Sequence, residues 1–229
     1  MSLFVLGSTG LVGGFVVQAA LKSKDWTKIT TLTRRQPQFA SDEAESRLNP
    51  IIEADTAKWT DIIKEVKPVP YAYISSFGTT RAAAGSAENF KTIDYGINYN
   101  AAKSAKESGV KTLVLVSAIG ANANSPFLYL QTKGKLEDDI IALDFDHTII
   151  LRPGQLLGDR KNGKRNELPQ KAADFLLNVP GIAWLMKAVN ASDVGKIAVH
   201  FAEQAQKGEL KEKVKIVGGG ELLSLAGKL

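Results

Sequence analysis

The stretch FVLGSTGLVGGFVV, Phe4 to Val17, constrains the fold more than any other part of the chain. An apolar, β-branched run passes through one glycine-rich turn straight into a helical pattern, which commits the N-terminus to a strand–turn–helix unit. Gly7, Gly10 and Gly13 form a GxxGxxG spacing, distinct from the GxGxxG of the commonest dinucleotide fingerprint. The physics is shared. Glycines permit the turn, let backbone approach a pyrophosphate and leave room for the helix against the strand. Unpaired N–H groups and the positive helix end then favour an anion. Taken alone, the motif also suits a strand–helix turn that binds nothing.

The rest of the chain repeats the rhythm. Candidate strands are Leu3–Leu6, Ile29–Thr33, Pro50–Ala54, Ala72–Phe77, Thr112–Ser117, Thr148–Leu151 and Val214–Val217. Helical segments separate them. In AKWTDIIKEV, for example, Trp59, Ile62, Ile63 and Val66 share one stripe. Ser125 before Pro126 reads as a helix N-cap, and Ser192 or Asp193 as the cap of SDVGKIAVHFAEQA. Alternating strands and helices predict an α/β chain with a doubly wound parallel sheet. The rhythm breaks after Leu151, where Gly158 to Gln170 is polar and Val179-Pro180-Gly181 interrupts an apolar run. The expected organisation is one domain: a cofactor-binding core over 1–157, a cap or substrate segment over 158–212, and a final strand and tail over 213–229.

Composition removes several chemistries. The 229 residues contain no cysteine, so disulfides, thiolate nucleophiles and zinc–thiolate sites are excluded. His147 and His200 are the two histidines, too few for a metal cluster, and no metal is expected. A net charge of +5, without a basic stripe interleaved with aromatics, gives no nucleic-acid groove. The first arginine is Arg34, so neither a signal peptide nor an Arg-rich presequence is expected. No apolar run reaches the roughly twenty residues that span a bilayer.

The end of the second strand selects the cofactor. An NAD site usually offers a carboxylate there for the ribose 2′-hydroxyl. Here the strand ends TLTRRQ, and no acid occurs between Asp25 and Asp42. The guanidiniums of Arg34 and Arg35 suit a 2′-phosphate, favouring NADP(H); a solvated basic pair is the plainer reading.

Two tyrosines precede a lysine by four, Tyr99 with Lys103 and Tyr129 with Lys133, so spacing alone chooses neither. Their surroundings differ. Ahead of Tyr99, Ser86 and Ala87 lie in a Gly- and Ala-rich loop. Ahead of Tyr129, Ser117 closes the strand TLVLVS, at the sheet edge where open α/β sheets bind ligands. Tyr129 and Lys133 share a helical face. An ammonium beside a phenol stabilises the phenolate and moves proton transfer towards the working pH. Ser117, Tyr129 and Lys133 are therefore the candidate catalytic residues, and Tyr99 a helix residue packing near the sheet.

Together, GSTGLVG, Ser117…Tyr129-x-x-x-Lys133 and LRPG (Leu151–Gly154) resemble the short-chain dehydrogenase/reductase superfamily, in its atypical, extended-like branch with a Rossmann-like fold. FGTTRAAAG, FLYLQTKGKLEDDI and LDFDHTIILRPGQLLGDR narrow the resemblance to the subgroup of the Tat-interacting oxidoreductase and its fungal mitochondrial-outer-membrane relatives. The resemblance implies that Gly7, Ser8, Thr9, Gly10, Leu11, Val12 and Gly13 hold the pyrophosphate, with Arg34 and Arg35 on the 2′-phosphate. It places Asp55 and Thr56 by the adenine and Phe77, Gly78 and Thr79 along the ribose and nicotinamide. Lys133 would also bond the nicotinamide ribose, and Pro153 and Gly154 would flank the nicotinamide. The family's additional helix asparagine stays open between Asn98 and Asn100.

The resemblance implies NADPH-dependent reduction of a small carbonyl, with Tyr129 giving the proton and Ser117 orienting the carbonyl. It also implies a peripheral location on the cytosolic face of the mitochondrial outer membrane, the cytoplasm being the alternative. The competing function is an NADP(H)-sensing regulator or scaffold without turnover; nucleotide-sugar epimerase or dehydratase chemistry ranks below both, the chain after Leu151 being short. The remaining features are assigned no chemistry. His147 and His200 are read as structural, Asp94 and Lys91 as a polar helix start, and Asp138-Asp139 as a solvated face. Arg160–Arg165 is read as a solvated basic loop, with an acidic partner or lipid headgroups as its alternative. Phe175 to Val189 is read as a cap burying the cleft, with membrane or subunit docking as the minority reading.

Overall fold

The computed structural model describes residues 1–37, 46–158 and 188–229. Seven parallel strands form one sheet in the order β3-β2-β1-β4-β5-β6-β9. They are β1 (Ser2–Leu6), β2 (Lys28–Thr33), β3 (Leu48–Ile52), β4 (Ala72–Ser75), β5 (Thr112–Val116), β6 (His147–Leu151) and β9 (Val214–Val217). This is the doubly wound Rossmann order with one strand added, so the crevice opens between β1 and β4, where the strand order reverses. A two-stranded ribbon, β7 (Leu156–Leu157) with β8 (Val189–Asn190), lies outside this sheet.

Every residue of β1 and β5 is buried, as a strand covered on both faces must be. Alternation along the strands splits the core in two. Leu3 and Val5 join one cluster with the helices α1 (Leu11–Lys22), α7 (Ala191–Gln206) and α8 (Gly219–Ala226). Phe4 and Leu6 join the other, against α2 (Trp59–Glu65), α5 (Asn98–Glu107) and α6 (Leu128–Ala142). Two short helices, α3 (Arg81–Ala84) and α4 (Ala87–Lys91), precede α5, and a π-helical turn, Thr92–Ile97, joins α4 to it.

Several expectations need correction. β3 spans Leu48–Ile52, not Pro50–Ala54, because its register with β2 pairs Ile29 with Leu48 and Thr33 with Ile52. Pro50 is tolerated there because β3 is an edge strand. Ser125 does not cap α6. Its hydroxyl takes the Phe127 N–H, and the helix starts at Leu128. The N-cap of α7 is Asn190, not Ser192 or Asp193; its side-chain amide donates to the Asp193 carboxylate. Ser86 and Ala87, expected in a loop, are the N-cap and first residue of α4.

Within the segment expected as a cap, α7 is instead part of the sheet's own covering layer. Gly195 lets it press on α1, since a Cβ there would lie 2.8 Å from the Phe15 carbonyl carbon. Val194, Ile197 and Phe201 are buried, each contributing roughly 1.5–3 kcal/mol, so α7 is not a detachable lid. The basic cluster Arg160–Arg165 and residues 175–187 of the apolar stretch lie outside the described residues.

Candidate functional site

Because all seven strands run parallel, the residues that follow them emerge at one edge. Gly7 follows β1, Arg34 and Arg35 follow β2, and Asp55 and Thr56 come soon after β3. Phe77–Thr79 follow β4, Ser117 follows β5, and Pro153 and Gly154 follow β6. Sheet topology thus brings the sequence candidates from six chain segments to one side of the molecule, around the reversal point.

The glycine turn is built by close approach. Gly7 has φ +88°, and a Cβ there would lie 2.6 Å from the Phe77 nitrogen. A Cβ on Gly13 would lie 2.1 Å from the Gly7 carbonyl oxygen and 2.6 Å from Ser76 Oγ. These two glycines seat α1 against β1 and β4. Gly10 is the N-cap of α1 and gives it no side-chain cap, so among the described residues no side chain caps the N–H groups of the first turn, which suits an anion. Ser8 is buried, and its hydroxyl has no hydrogen-bond partner among the described residues. An orphaned hydroxyl beside an uncapped helix end fits a phosphate-bearing group. Arg34 and Arg35 are exposed at the end of β2. Asp55 is also exposed, and its carboxylate accepts from the Ala57 N–H, capping the turn Thr56–Lys58.

The helix α6 carries the charged part of the site on one stripe: Tyr129, Lys133 and Glu137 at successive four-residue steps. Tyr129 is 43% exposed, its ring packed at 5.8 Å on Phe90 of α4. Lys133 is only 5% exposed, and its Nζ lies 2.7 Å from Asp94 Oδ1. Gly78 borders that pair; a Cβ on it would lie 2.9 Å from Asp94 Oδ1 and 3.4 Å from Lys133 Nζ. The Ser117 hydroxyl, also buried, donates to the Glu137 carboxylate. Arg152 grips the same carboxylate, Nε at 3.2 and 3.1 Å from its two oxygens and Nη2 on Oε2. A buried carboxylate is stable only when paired in this way.

Sequence reasoning missed three residues here: Asp94, Glu137 and Arg152. Asp94, expected at a polar helix start without chemistry, is fully buried on the π-helical turn. Of the two asparagines left open, Asn100 is exposed, whereas Asn98 is buried and hydrogen-bonded. Its Oδ1 takes the Ser75 hydroxyl at 2.6 Å, and its Nδ2 donates to the Phe77 carbonyl at 2.8 Å. Glu137 was detectable, since it stands one turn beyond Lys133 on the same stripe. Tyr99 lies on α5 with its ring stacked on Tyr95, and Lys103 pairs with Glu107. His147 Nδ1 meets the Glu212 carbonyl at 2.9 Å, and His200 packs beside Phe201. Among the described residues no cluster of His or acidic side chains could hold a metal ion.

A family model described as NAD(P)H-binding matches residues 7–207. "Protein FMP52, mitochondrial" of Candida albicans is 55% identical, covering 100% of both chains. The Aspergillus fumigatus protein of the same name is 34% identical over 98% of this chain and 97% of its own. Among solved structures, MoeE5 in complex with UDP-glucose and NAD has a TM-score of 0.67 at 14% identity, covering 100% of this chain and 81% of its own. A short chain dehydrogenase family protein from Francisella tularensis has a TM-score of 0.64 at 14% identity, covering 97% and 98%. At that identity the structural likeness shows the fold alone.

Proposed function

The chain belongs to the NAD(P)H-binding family, alongside the fungal FMP52 proteins, and from that premise we propose that it is an NADPH-dependent reductase of a small carbonyl compound. One observation carries the reading. Tyr129 and Lys133 share a face of α6, and the Lys133 ammonium is buried against Gly78, on the β4 loop beside the glycine turn. The sheet edge that accepts a dinucleotide and the groups that move a proton are therefore neighbours.

The NADP(H) cofactor, when bound, supplies hydride. The chain supplies the rest. The free N–H groups of the first turn of α1 and the Ser8 hydroxyl take the pyrophosphate, with Gly7 and Gly13 closing the backbone around it. Thr9, Leu11 and Val12 complete that turn, and Arg34 and Arg35 take the 2′-phosphate. Asp55 and Thr56 stand by the adenine, Phe77, Gly78 and Thr79 along the ribose, and Pro153 and Gly154 beside the nicotinamide. Tyr129 gives its hydroxyl proton to the carbonyl oxygen as the carbon is reduced, and the Lys133 ammonium stabilises the phenolate until solvent reprotonates it. For Ser117 to orient the carbonyl, its hydroxyl must turn from Glu137. Arg152 still holds the carboxylate then, so the turn costs one hydrogen bond to a charged group, about 1.5–3 kcal/mol, offset by the bond gained.

The test is turnover of NADPH with a panel of aldehydes and ketones. Tyr129→Phe is expected to abolish turnover and leave NADPH affinity unchanged; full activity in that variant rejects the mechanism. A second reading, an NADP(H) sensor without turnover, draws support from one feature: Ser117 and Lys133 each bond a carboxylate instead of one another's neighbour Tyr129. Its signature is no oxidation of bound NADPH by any carbonyl, together with a partner captured only in the presence of NADPH.

The relatives' names carry the word mitochondrial, and no described helix is long and apolar enough to cross a membrane. The names bear on the organelle; for the surface, we propose peripheral attachment to the cytosolic face of the outer mitochondrial membrane. Release by alkaline carbonate and digestion by protease added to intact mitochondria are the expected results.

A further inference from the structure

Asp94 has no part in the scheme above, yet it is fully buried beside the two groups that matter most to it. Its Oδ1 lies 2.7 Å from Lys133 Nζ, and its Oδ2 accepts the Thr79 N–H at 2.7 Å. One carboxylate thus ties the α6 stripe to the loop after β4. The tie is itself braced. The Asp94 carbonyl accepts from Asn98 Nδ2 at 3.1 Å, and the same amide holds the Phe77 carbonyl. All of this hangs on the π-helical turn Thr92–Ile97, a rare distortion frequent at functional sites.

An ammonium 5% exposed is costly to bury without a partner, and a flexible four-carbon stem cannot hold its own direction. Among the described residues, Asp94 is the carboxylate in ion-pair contact with it. Glu137, the next charge along the stripe, is already taken by Ser117 and Arg152. Glu88 and Lys91, flanking the Phe90 that packs on Tyr129, are exposed. Gly78 leaves room for the pair: a Cβ there would crowd Asp94 Oδ1 at 2.9 Å and touch Lys133 Nζ at 3.4 Å.

We propose that Asp94 is a positioning residue, holding the Lys133 ammonium and the Phe77–Thr79 loop in fixed relation to each other so that one lysine serves both Tyr129 and the cofactor ribose. The proposal rests on the reductase reading for its kinetic consequence, but not for its effect on cofactor affinity.

The experiment is a double-mutant cycle on the full chain, combining Asp94→Ala with Lys133→Met. NADPH affinity is measured by fluorescence titration, the urea midpoint by circular dichroism, and kcat and KM with the best carbonyl found. If Asp94 acts through Lys133, Asp94→Ala weakens NADPH binding about tenfold and lowers kcat on the order of 100-fold, the usual result of misplacing a reacting group by about 1 Å. It changes little in the Lys133→Met background, where the ammonium is already gone. The urea midpoint, lowered by Asp94→Ala, rises again when Lys133→Met removes the stranded charge. Asp94→Glu, which keeps the charge, restores affinity in part.

Additive losses, or unchanged affinity in Asp94→Ala, overturn the proposal and leave Asp94 a structural acid. Should the alanine variant not fold, Asp94→Asn keeps an acceptor for the Thr79 N–H and tests the charge alone, with the same tenfold loss expected. If no carbonyl is turned over, the reductase reading falls, while the affinity cycle still judges Asp94.

Discussion

Two adjacent glycines of α1 offer a matched test of how the turn is built. A Cβ on Gly13 would sit 2.1 Å from the Gly7 carbonyl oxygen and 2.6 Å from Ser76 Oγ. Carbon and oxygen in ordinary contact stand more than 3 Å apart, so Gly13→Ala must push α1 off β1 by about 1 Å or distort Gly7. Backbone on one side leaves no flexible atom to yield. Val12, Val16, Val17 and Ala20 are packed behind the helix, so the shift propagates into the core. Overpacking of this kind costs about 1–3 kcal/mol, which for a domain of this size lowers Tm by roughly 2–12 °C. Gly14 differs. Its nearest neighbour to a built Cβ is the Ser8 carbonyl oxygen at 3.7 Å, an ordinary contact. Gly14→Ala therefore keeps the turn and gains helix propensity, about 0.5–1 kcal/mol, a rise of roughly 1–4 °C. Thermal unfolding measures both effects, and NADPH titration adds the functional arm: binding is lost in Gly13→Ala and retained in Gly14→Ala. If both variants lose stability equally, or if Gly13→Ala binds NADPH normally, the close-packed turn is not what seats the phosphates.

If the proposed NADPH preference comes from the strand-end guanidiniums, Arg34→Ala and Arg35→Ala together remove it, measured as the ratio of the NADPH and NADH dissociation constants; an unchanged ratio shows that the pair is only a solvated surface. Tyr95 donates to Asp139 at 2.6 Å, and this hydrogen bond, followed by burial, raises its phenol above the ordinary 10.0. A raised folded-state pKa means that the stabilisation is complete below pH 10 and fades as pH rises through the higher value. Tyr95→Phe should therefore cost on the order of 1 kcal/mol at neutral pH, a small figure because the pair is half exposed. The difference should vanish in strongly alkaline urea titrations; a constant difference at all pH values counts against it.

The fold was legible because its signals are local. Apolar runs mark the strands, and the glycine turn fixes the first strand–helix unit. Parallel strands then place Gly7, Phe77, Ser117 and Pro153 at one edge without further information. What escaped was pairing across long sequence distances. Asp94 and Lys133 meet only because a π-helical turn and the register of α6 bring them together, and neither leaves a periodic trace. An acid among polar residues at a helix start looks solvated until the loop after β4 is laid across it. Ser125-Pro126 misled for the opposite reason: the cap chemistry is present, but it closes a turn ahead of the helix.

The charges of the α6 stripe explain why the site holds its shape. Lys133 and Glu137 stand one turn apart with opposite signs, and they could have paired with each other, as exposed lysines and glutamates at this spacing do. Instead each takes its counterion from elsewhere, Lys133 from the π-helical turn and Glu137 from Arg152 after β6. An internal pair would satisfy the helix alone. Two external pairs fasten α6 to the π-helical turn, whose Asp94 also holds the loop after β4, and to Arg152 after β6; Ser117 follows β5, the strand between β4 and β6. Breaking either pair strands a buried charge, a cost of about 3–5 kcal/mol where both partners are enclosed and less for Arg152, which is 30% exposed. Tyr129, the third member of the stripe, packs its ring on Phe90 from this doubly anchored helix, and no described residue bonds its hydroxyl.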